Sequence, residues 1–196
     1  MKRIKVGLNG FGRIGRAFTR ISTFRDTFDI VQINTRKTKN DMMAYILKHD
    51  SVYRAFEKDV SSVEDGLMVN GKKIRTTLGD DPSVIDWQDV DVVVDATGAF
   101  TKKEDLQKHI KGSVKKVILT APAKDEETVH VVLGVNDDKI DWQNEQIISN
   151  ASCTTNCASP MFKVLNDAFK VISGTLTTIH AITLTQAMLD DTGKSF

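Results

Sequence analysis

Gly10, Gly12 and Gly15 form G-x-G-x-x-G between an apolar run, Arg3–Leu8, and a stretch where Ala17, Phe18 and Ile21 recur at helical spacing. Each glycine in such a turn has its own steric duty. The first permits the tight bend, the second lets backbone approach a pyrophosphate, and the third lets helix pack on strand. The pattern alone is weak. Followed by a second strand over Asp29–Asn34 it sits inside a βαβ unit, the context that makes it specific for a dinucleotide. The N–H groups at the start of the helix would then face a phosphate. A turn with a purely structural duty is the alternative.

The rest of the chain extends the same architecture. Val90–Asp95 is a near-continuous valine run, typical of a parallel strand covered on both faces. Lys116–Leu119, Val129–Leu133 and Ile147–Ser149 read as further strands, and Lys102–Ile110 as a charged helix. Asp41–Leu47 reads as a short helix capped by Asn40 or Asp41. Leu67–Val69, Asn70-Gly71 and Lys72–Thr76 carry a strong hairpin signal, an antiparallel excursion within a βαβ pattern. The expected fold class is therefore α/β, a Rossmann-type doubly wound and mostly parallel sheet, over residues 1–150. Beyond it, Cys153–Phe169 places Met161, Leu165, Ala168 and Phe169 at helical spacing, with Pro160 kinking or crowding the early turns. Gly174–Ile182 alternates like a strand with one polar face. Residues 151–196 are too few to bury a core alone. They read as the N-terminal part of an incomplete α+β catalytic domain.

Composition excludes several classes. A net charge of +1 with no long Lys/Arg block argues against nucleic-acid binding. No apolar run approaches the roughly 20 residues of a membrane span, and Asn9, Arg13 and the glycines break any signal peptide after Met1-Lys2-Arg3. The two cysteines, Cys153 and Cys157, lie four apart. A disulfide there would have awkward geometry, and two thiols with no histidine at ligand spacing make half a zinc site, so no metal is expected. A reducing, cytoplasmic setting follows.

A dinucleotide site of this kind usually has an acidic residue at the end of the second strand, about 20 residues past the glycines, to bind the adenosine ribose hydroxyls. Here that strand ends Ile33-Asn34-Thr35-Arg36-Lys37. A carboxylate would repel a 2′-phosphate, whereas arginine pairs with one. Thr35 and Arg36 thus favour NADP over NAD, with a solvated basic loop as the alternative.

The octet Ser149-Asn150-Ala151-Ser152-Cys153-Thr154-Thr155-Asn156 places a thiol between a polar turn and a helical run. A cysteine at a helix N-terminus faces unpaired N–H groups and the positive end of the dipole, which favour thiolate. The alternative is a small buried hydrophobe.

These motifs together resemble the glyceraldehyde-3-phosphate dehydrogenase family. The resemblance rests on Asn9-Gly10-Phe11-Gly12-Arg13-Ile14-Gly15-Arg16, Leu47-Lys48-His49-Asp50-Ser51, Ala96-Thr97-Gly98-Ala99-Phe100 and Thr120-Ala121-Pro122. The cysteine octet and Thr177-Thr178-Ile179-His180-Ala181-Ile182-Thr183 complete it. It implies a phosphorylating aldehyde dehydrogenase that uses NAD or NADP, with Cys153 as nucleophile and His180 as its base. Ser152, Thr154 and Thr183 match positions that bind substrate phosphate or inorganic phosphate. Asn9, Gly10, Phe11, Gly12, Arg13, Ile14, Gly15, Asn34, Thr35 and Arg36 match the cofactor loop and strand end. Thr97, Gly98 and Thr120 match the lining near the nicotinamide.

The implied partners are a phosphorylated aldehyde and inorganic phosphate, and the implied full-length assembly is a homotetramer. The family pattern also places a further catalytic segment beyond Phe196, so the chain reads as a truncated form or a fragment. Asp80 stands where the family has an arginine near the adenine. Erythrose-4-phosphate dehydrogenase and a catalytically silent nucleotide-binding fragment are the alternative readings.

Overall fold

The computed structural model describes residues 3–181 and Thr183. Its centre is a nine-stranded sheet of order β3-β4-β5-β2-β1-β6-β7-β9-β8. The strands are β1 (Ile4–Asn9), β2 (Phe28–Thr35), β3 (Val60–Val63), β4 (Gly66–Val69), β5 (Lys72–Leu78), β6 (Val92–Asp95), β7 (Lys116–Leu119), β8 (Val129–His130) and β9 (Ile147–Ser149). Four helices accompany them: α1 (Arg13–Ser22), α2 (Asn40–Lys48), α3 (Lys103–Gln107) and α4 (Cys153–Phe169). The run β5-β2-β1-β6-β7-β9 is parallel throughout and follows the 3-2-1-4-5-6 order of a doubly wound dinucleotide fold. β3 with β4 and β4 with β5 pair antiparallel.

Both faces of the sheet are covered, as the valine run requires. Successive residues of β6 enter different cores: Val94 joins Leu8, Ile33, Met43 and Leu47, while Val93 joins Trp87, Leu106, Val117 and Leu119. Alternation with period two puts them on opposite faces. Each such side chain contributes about 1.5–3 kcal/mol by leaving water.

The hairpin forms where Asn70-Gly71 places it, with φ of 49° and 75°, the two left-handed conformations a tight hairpin turn needs. Val60–Val63 adds an edge strand that the sequence pattern did not separate from a loop.

Four expectations are corrected. The N-cap of α2 is Lys39, with no side-chain cap, because Asn40 instead donates to the carbonyls of Val63 and Glu64. The charged helix Lys102–Ile110 is α-helical only to Gln107, and i→i+3 bonds tighten it onward to Ile110. The strand Val129–Leu133 ends at His130, since Asn136 accepts from Val132 N–H and donates to the His130 carbonyl. No strand forms over residues 174–181, which are exposed, and Ile182 lies outside the described residues. A strand needs a neighbour to pair with, and none lies beside this segment among the described residues. Among those residues, no helix is long and apolar enough to cross a membrane.

The parallel strands share one register row at their carboxyl ends: Thr77, Asn34, Asn9, Asp95, Leu119 and Ser149. This edge, where β1 is flanked by β2 and β6, is the switch point at which such sheets bind ligands.

The glycines that start α1 differ in what they tolerate. A Cβ at Gly15 would overlap the carbonyl oxygen of Gly10, whereas one at Gly12 meets nothing within 4 Å. Gly15→Ala is therefore expected to destabilise the fold by about 1–3 kcal/mol through overpacking, despite the better helix propensity of alanine. Gly12→Ala should stay within about 0.5 kcal/mol of the parent. Urea unfolding of the two variants beside the parent chain checks the contrast, and equal midpoints for both would refute it.

Candidate functional site

The first half of the site is built at the end of β1. Gly10 adopts φ +95°, and its N–H donates to the Asn34 carbonyl at 2.9 Å. A Cβ there would stand 2.9 Å from backbone atoms of Ala96 and Thr97, so the turn after β1 lies hard against the turn after β6. Gly12 is the N-cap of α1, no side chain caps that helix, and its first turn holds no acid. The empty space at the Gly12 Cβ position, beside an uncapped helix start, fits the close approach of a pyrophosphate.

Phe11 is buried beneath the turn and Ile14 is exposed on it. The Arg13 side chain leaves the turn and forks onto Asp50 at 3.0 and 3.1 Å. Asp50 also accepts from the N–H groups of Val52 and Tyr53. Burial opposes its ionisation, yet those N–H bonds and the guanidinium outweigh it and hold the carboxyl below its ordinary range. Arg13 thus ties the glycine turn to the loop after α2. No role for Asp50 was legible beforehand, although it lies inside one of the quoted motifs.

At the end of β2, Asn34 and Thr35 are buried, and Thr35 Oγ1 donates to the Thr38 carbonyl at 3.2 Å. Arg36 and Lys37 are exposed just beyond. Gly79 faces them, its N–H donating to the Thr35 carbonyl and its own carbonyl accepting from Asn34. On the other side of β1, Thr97 is exposed and donates to Asp95 through both N–H and Oγ1, Gly98 adopts φ +68°, and Thr120 N–H donates to the Asp95 carbonyl. The residues expected to line a dinucleotide therefore stand at one edge of the sheet.

The second half begins where β9 ends. Asn150 N–H donates to the Leu119 carbonyl, and Ala151 then takes φ +54°, a left-handed conformation costing about 1–3 kcal/mol for a residue with a side chain. That reversal swings the chain into α4. Ser152 is its N-cap, accepting from Thr155 N–H at 2.9 Å, and Asn156 Nδ2 bridges back to the carbonyls of Asn150 and Ser152. Cys153 is consequently the first residue of a capped 17-residue helix, and it is exposed rather than buried.

His180 reaches the thiol although its segment forms no strand: Nε2 lies 3.3 Å from Cys153 Sγ. Its Nδ1 lies 2.6 Å from the Ala181 carbonyl, which can only accept, so Nδ1 carries a proton and Nε2 faces sulfur. The bond from His180, with a smaller one from Thr154, pulls the Cys153 pKa below its ordinary value. The Ala181 carbonyl, then the sulfur, raises that of His180. Both shifts favour thiolate beside imidazolium. Ser152 and Thr154 flank the sulfur in sequence, and Thr183 is exposed three residues past His180.

A groove of about 340 Å³ lined by Arg20, Ile21, Phe24, Tyr53 and Phe56 lies on the flank of α1, but it includes none of these residues.

Comparison with known proteins gives the family of the chain. Residues 4–103 match the glyceraldehyde 3-phosphate dehydrogenase NAD binding domain, and residues 152–196 match the C-terminal domain of the same family. Glyceraldehyde-3-phosphate dehydrogenase of Escherichia fergusonii is 49% identical over 95% of this chain and 56% of its own length. Glyceraldehyde-3-phosphate dehydrogenase 1 of Bacillus cereus is 47% identical over the same shares, 95% and 56%. The enzyme of Trypanosoma brucei brucei named as cytosolic is 48% identical, again over 95% and 56%. The chain spans a little over half the length of the curated relatives it matches. With a family model on each side of the thiol turn and relatives near half identity along almost all of it, the chain belongs to the glyceraldehyde-3-phosphate dehydrogenase family.

Proposed function

We propose that this chain is the dinucleotide domain, residues 1–150, and the first part of the catalytic domain, residues 151–196, of a phosphorylating glyceraldehyde-3-phosphate dehydrogenase. The 3.3 Å contact between Cys153 Sγ and His180 Nε2 at a capped helix start carries the reading. The substrates are a phosphorylated aldehyde and inorganic phosphate, and the full-length protein works in the cytoplasm as a homotetramer.

An aldehyde carbon releases hydride only after a nucleophile has added to it. Cys153 adds as thiolate: a C–S bond forms and the carbonyl π pair moves to oxygen. The His180 Nε2–H donates to that oxygen and steadies the developing charge. When bound, NAD or NADP supplies the hydride acceptor. The oxidised carbon is then a thioester on Cys153. An oxygen of inorganic phosphate attacks the acyl carbon, the C–S bond breaks, and thiolate returns beside imidazolium. Ser152, Thr154 and Thr183 bind phosphate around this centre. Gly10, Gly12 and Gly15, with Asn9, Phe11, Arg13, Ile14, Asn34, Thr35, Arg36, Thr97, Gly98 and Thr120, form the cofactor cleft.

The cleft accepts NADP, in preference to NAD. Thr35 puts a neutral hydroxyl where an acid would meet the adenosine ribose, and Arg36 and Lys37 stand exposed next to it.

In a Cys157→Ser background, the rate of Cys153 alkylation by iodoacetamide is expected to rise with pH through a midpoint below the ordinary thiol value of about 8.5. The thiolate is the reactive form, so reactivity is lost as pH falls through that lowered midpoint. Removing the imidazole with His180→Ala should move the midpoint upward and slow alkylation at pH 7. An unmoved midpoint would exclude His180 as the activating group.

Calorimetric titration of the parent chain at one low salt concentration should show tighter binding of NADP than of NAD. Thr35→Asp should weaken NADP binding on the order of tenfold by placing a carboxylate near the 2′-phosphate. Equal affinities in the parent chain would remove the preference. The same titration tests the turn, since Gly12→Ala should abolish binding of either dinucleotide without unfolding the protein.

A further inference from the structure

Beneath the cleft runs a chain of buried side chains that the chemistry above does not use. Trp87 Nε1 donates to His109 Nδ1 at 3.0 Å, and His109 Nε2 lies 3.2 Å from Asp95 Oδ2. Asn9 Nδ2 donates to the same Oδ2 at 2.7 Å, and Asn34 Nδ2 donates to Asn9 Oδ1 at 2.8 Å. Thr77 Oγ1 donates to Asn34 Oδ1 at 3.0 Å. The other Asp95 oxygen accepts from Thr97 N–H at 3.0 Å and from Thr97 Oγ1 at 2.6 Å. Asp95 and His109 are wholly inaccessible to solvent, and Asn9 and Asn34 nearly so.

The direction of every bond follows from one donor. An indole N–H can only donate, so Nδ1 of His109 must accept and Nε2 must carry the proton, which goes to Asp95. From the opposite side, Asn9 turns its amide N–H to Asp95, which leaves its oxygen for Asn34. That in turn leaves the Asn34 amide N–H groups for Asn9 and the Gly79 carbonyl. Donors of His109, Asn9 and Thr97 converge on one carboxylate. We infer that Asp95 is a positioning residue for the dinucleotide cleft, fixing the side chains of Thr97 on one wall and of Asn9 and Asn34 on the other. The inference rests on the reading of that cleft as the cofactor site.

The consequence of disturbing it can be followed bond by bond. Asp95→Asn leaves one oxygen where there were two: aimed at His109 and Asn9 it sets an amide N–H group against the Thr97 N–H, and aimed at Thr97 it sets that group against the donors of His109 and Asn9. In the second orientation the mismatch spreads. His109 cannot reverse its tautomer, because its Nδ1–H would then meet the indole N–H. Asn9 can turn its oxygen toward the new amide only by presenting N–H groups to Asn34. Asn34 must then turn as well, setting its oxygen against the Gly79 carbonyl. That breaks the Asn34–Gly79 contact, one of the two bonds that hold Gly79 to the end of β2. Either way a donor faces a donor, and one hydrogen bond that fixes a wall of the cleft is lost.

Calorimetric titration of the 196-residue chain with NAD, below its unfolding transition, tests this. Asp95→Asn is expected to raise the dissociation constant on the order of tenfold, the equivalent of one unmade buried hydrogen bond. His109→Gln keeps one donor for Asp95 and one acceptor for Trp87, and should bind NAD like the parent. His109→Leu keeps neither, and should lose affinity as Asp95→Asn does. Unchanged affinity in a folded Asp95→Asn protein would overturn the positioning role while leaving the cofactor reading intact. Absence of NAD binding by the parent chain would overturn both. Should Asp95→Asn fail to fold, the His109 pair decides: equal affinities for Gln and Leu overturn the role, and rescue by Gln alone upholds it.

Discussion

The carbonyl oxygen of Gly10 and the α-carbon of Gly15 are so close that no side chain fits between them, and the functional edge of the sheet is arranged around that approach. It seats α1 directly on the end of β1, with Gly12 as its N-cap and open space where a Gly12 side chain would stand. The Gly10 turn in the same stroke presses against the backbone of Ala96 and Thr97. Two turns from two strands are therefore held at van der Waals distance with no side chain intervening. An edge made of backbone packed in this way has little freedom to deform, and a polar chain of side chains runs beneath it from Trp87 to Thr77.

Legibility in the sequence tracked how local the determining physics was. The glycine turn, the hairpin and the start of α4 depend on residues within a few positions of one another. Each appeared where the pattern placed it, and Lys116–Leu119, Ile147–Ser149 and Cys153–Phe169 matched to the residue. The cap of α2 failed for a different reason. Asn40 has the right chemistry for a cap, but Val63 and Glu64, more than 20 residues away, present carbonyls that compete for it. The strand at Val129 was cut short in a similar way, by Asn136 reaching back to close a loop. No inspection of windows reveals such competition. The same holds for Asp95, which looked like the polar end of a valine run and turned out to accept from His109, Asn9 and Thr97.

The segment after Ser149 shows what pattern cannot supply. Helix α4 has an apolar stripe, yet none of its residues is buried, and Met161, Phe162, Val164, Leu165 and Phe169 are all exposed. Residues 174–181 alternate as a strand should, but they are exposed and pair with no strand among the described residues. Periodicity states which face of an element would be buried. Only a neighbouring element can bury it. The Ser152 cap and the Asn156 bridge suffice to start the helix in place, which is why the geometry around Cys153 is defined where packing is not.

That difference bears on the strength of the thiol–imidazole pair. Cys153 and His180 are both exposed, so water screens their attraction. The bond from His180 lowers the Cys153 pKa, while the Ala181 carbonyl, then the sulfur, raises that of His180, and the attraction within the pair strengthens with whatever excludes water from it. Orientation of the imidazole is already settled, because the Ala181 carbonyl fixes which nitrogen faces sulfur before any covering arrives. The chemistry of the site is thus specified locally by a cap, a turn and one carbonyl. Its intensity depends on burial that acts on the same pair without rearranging it.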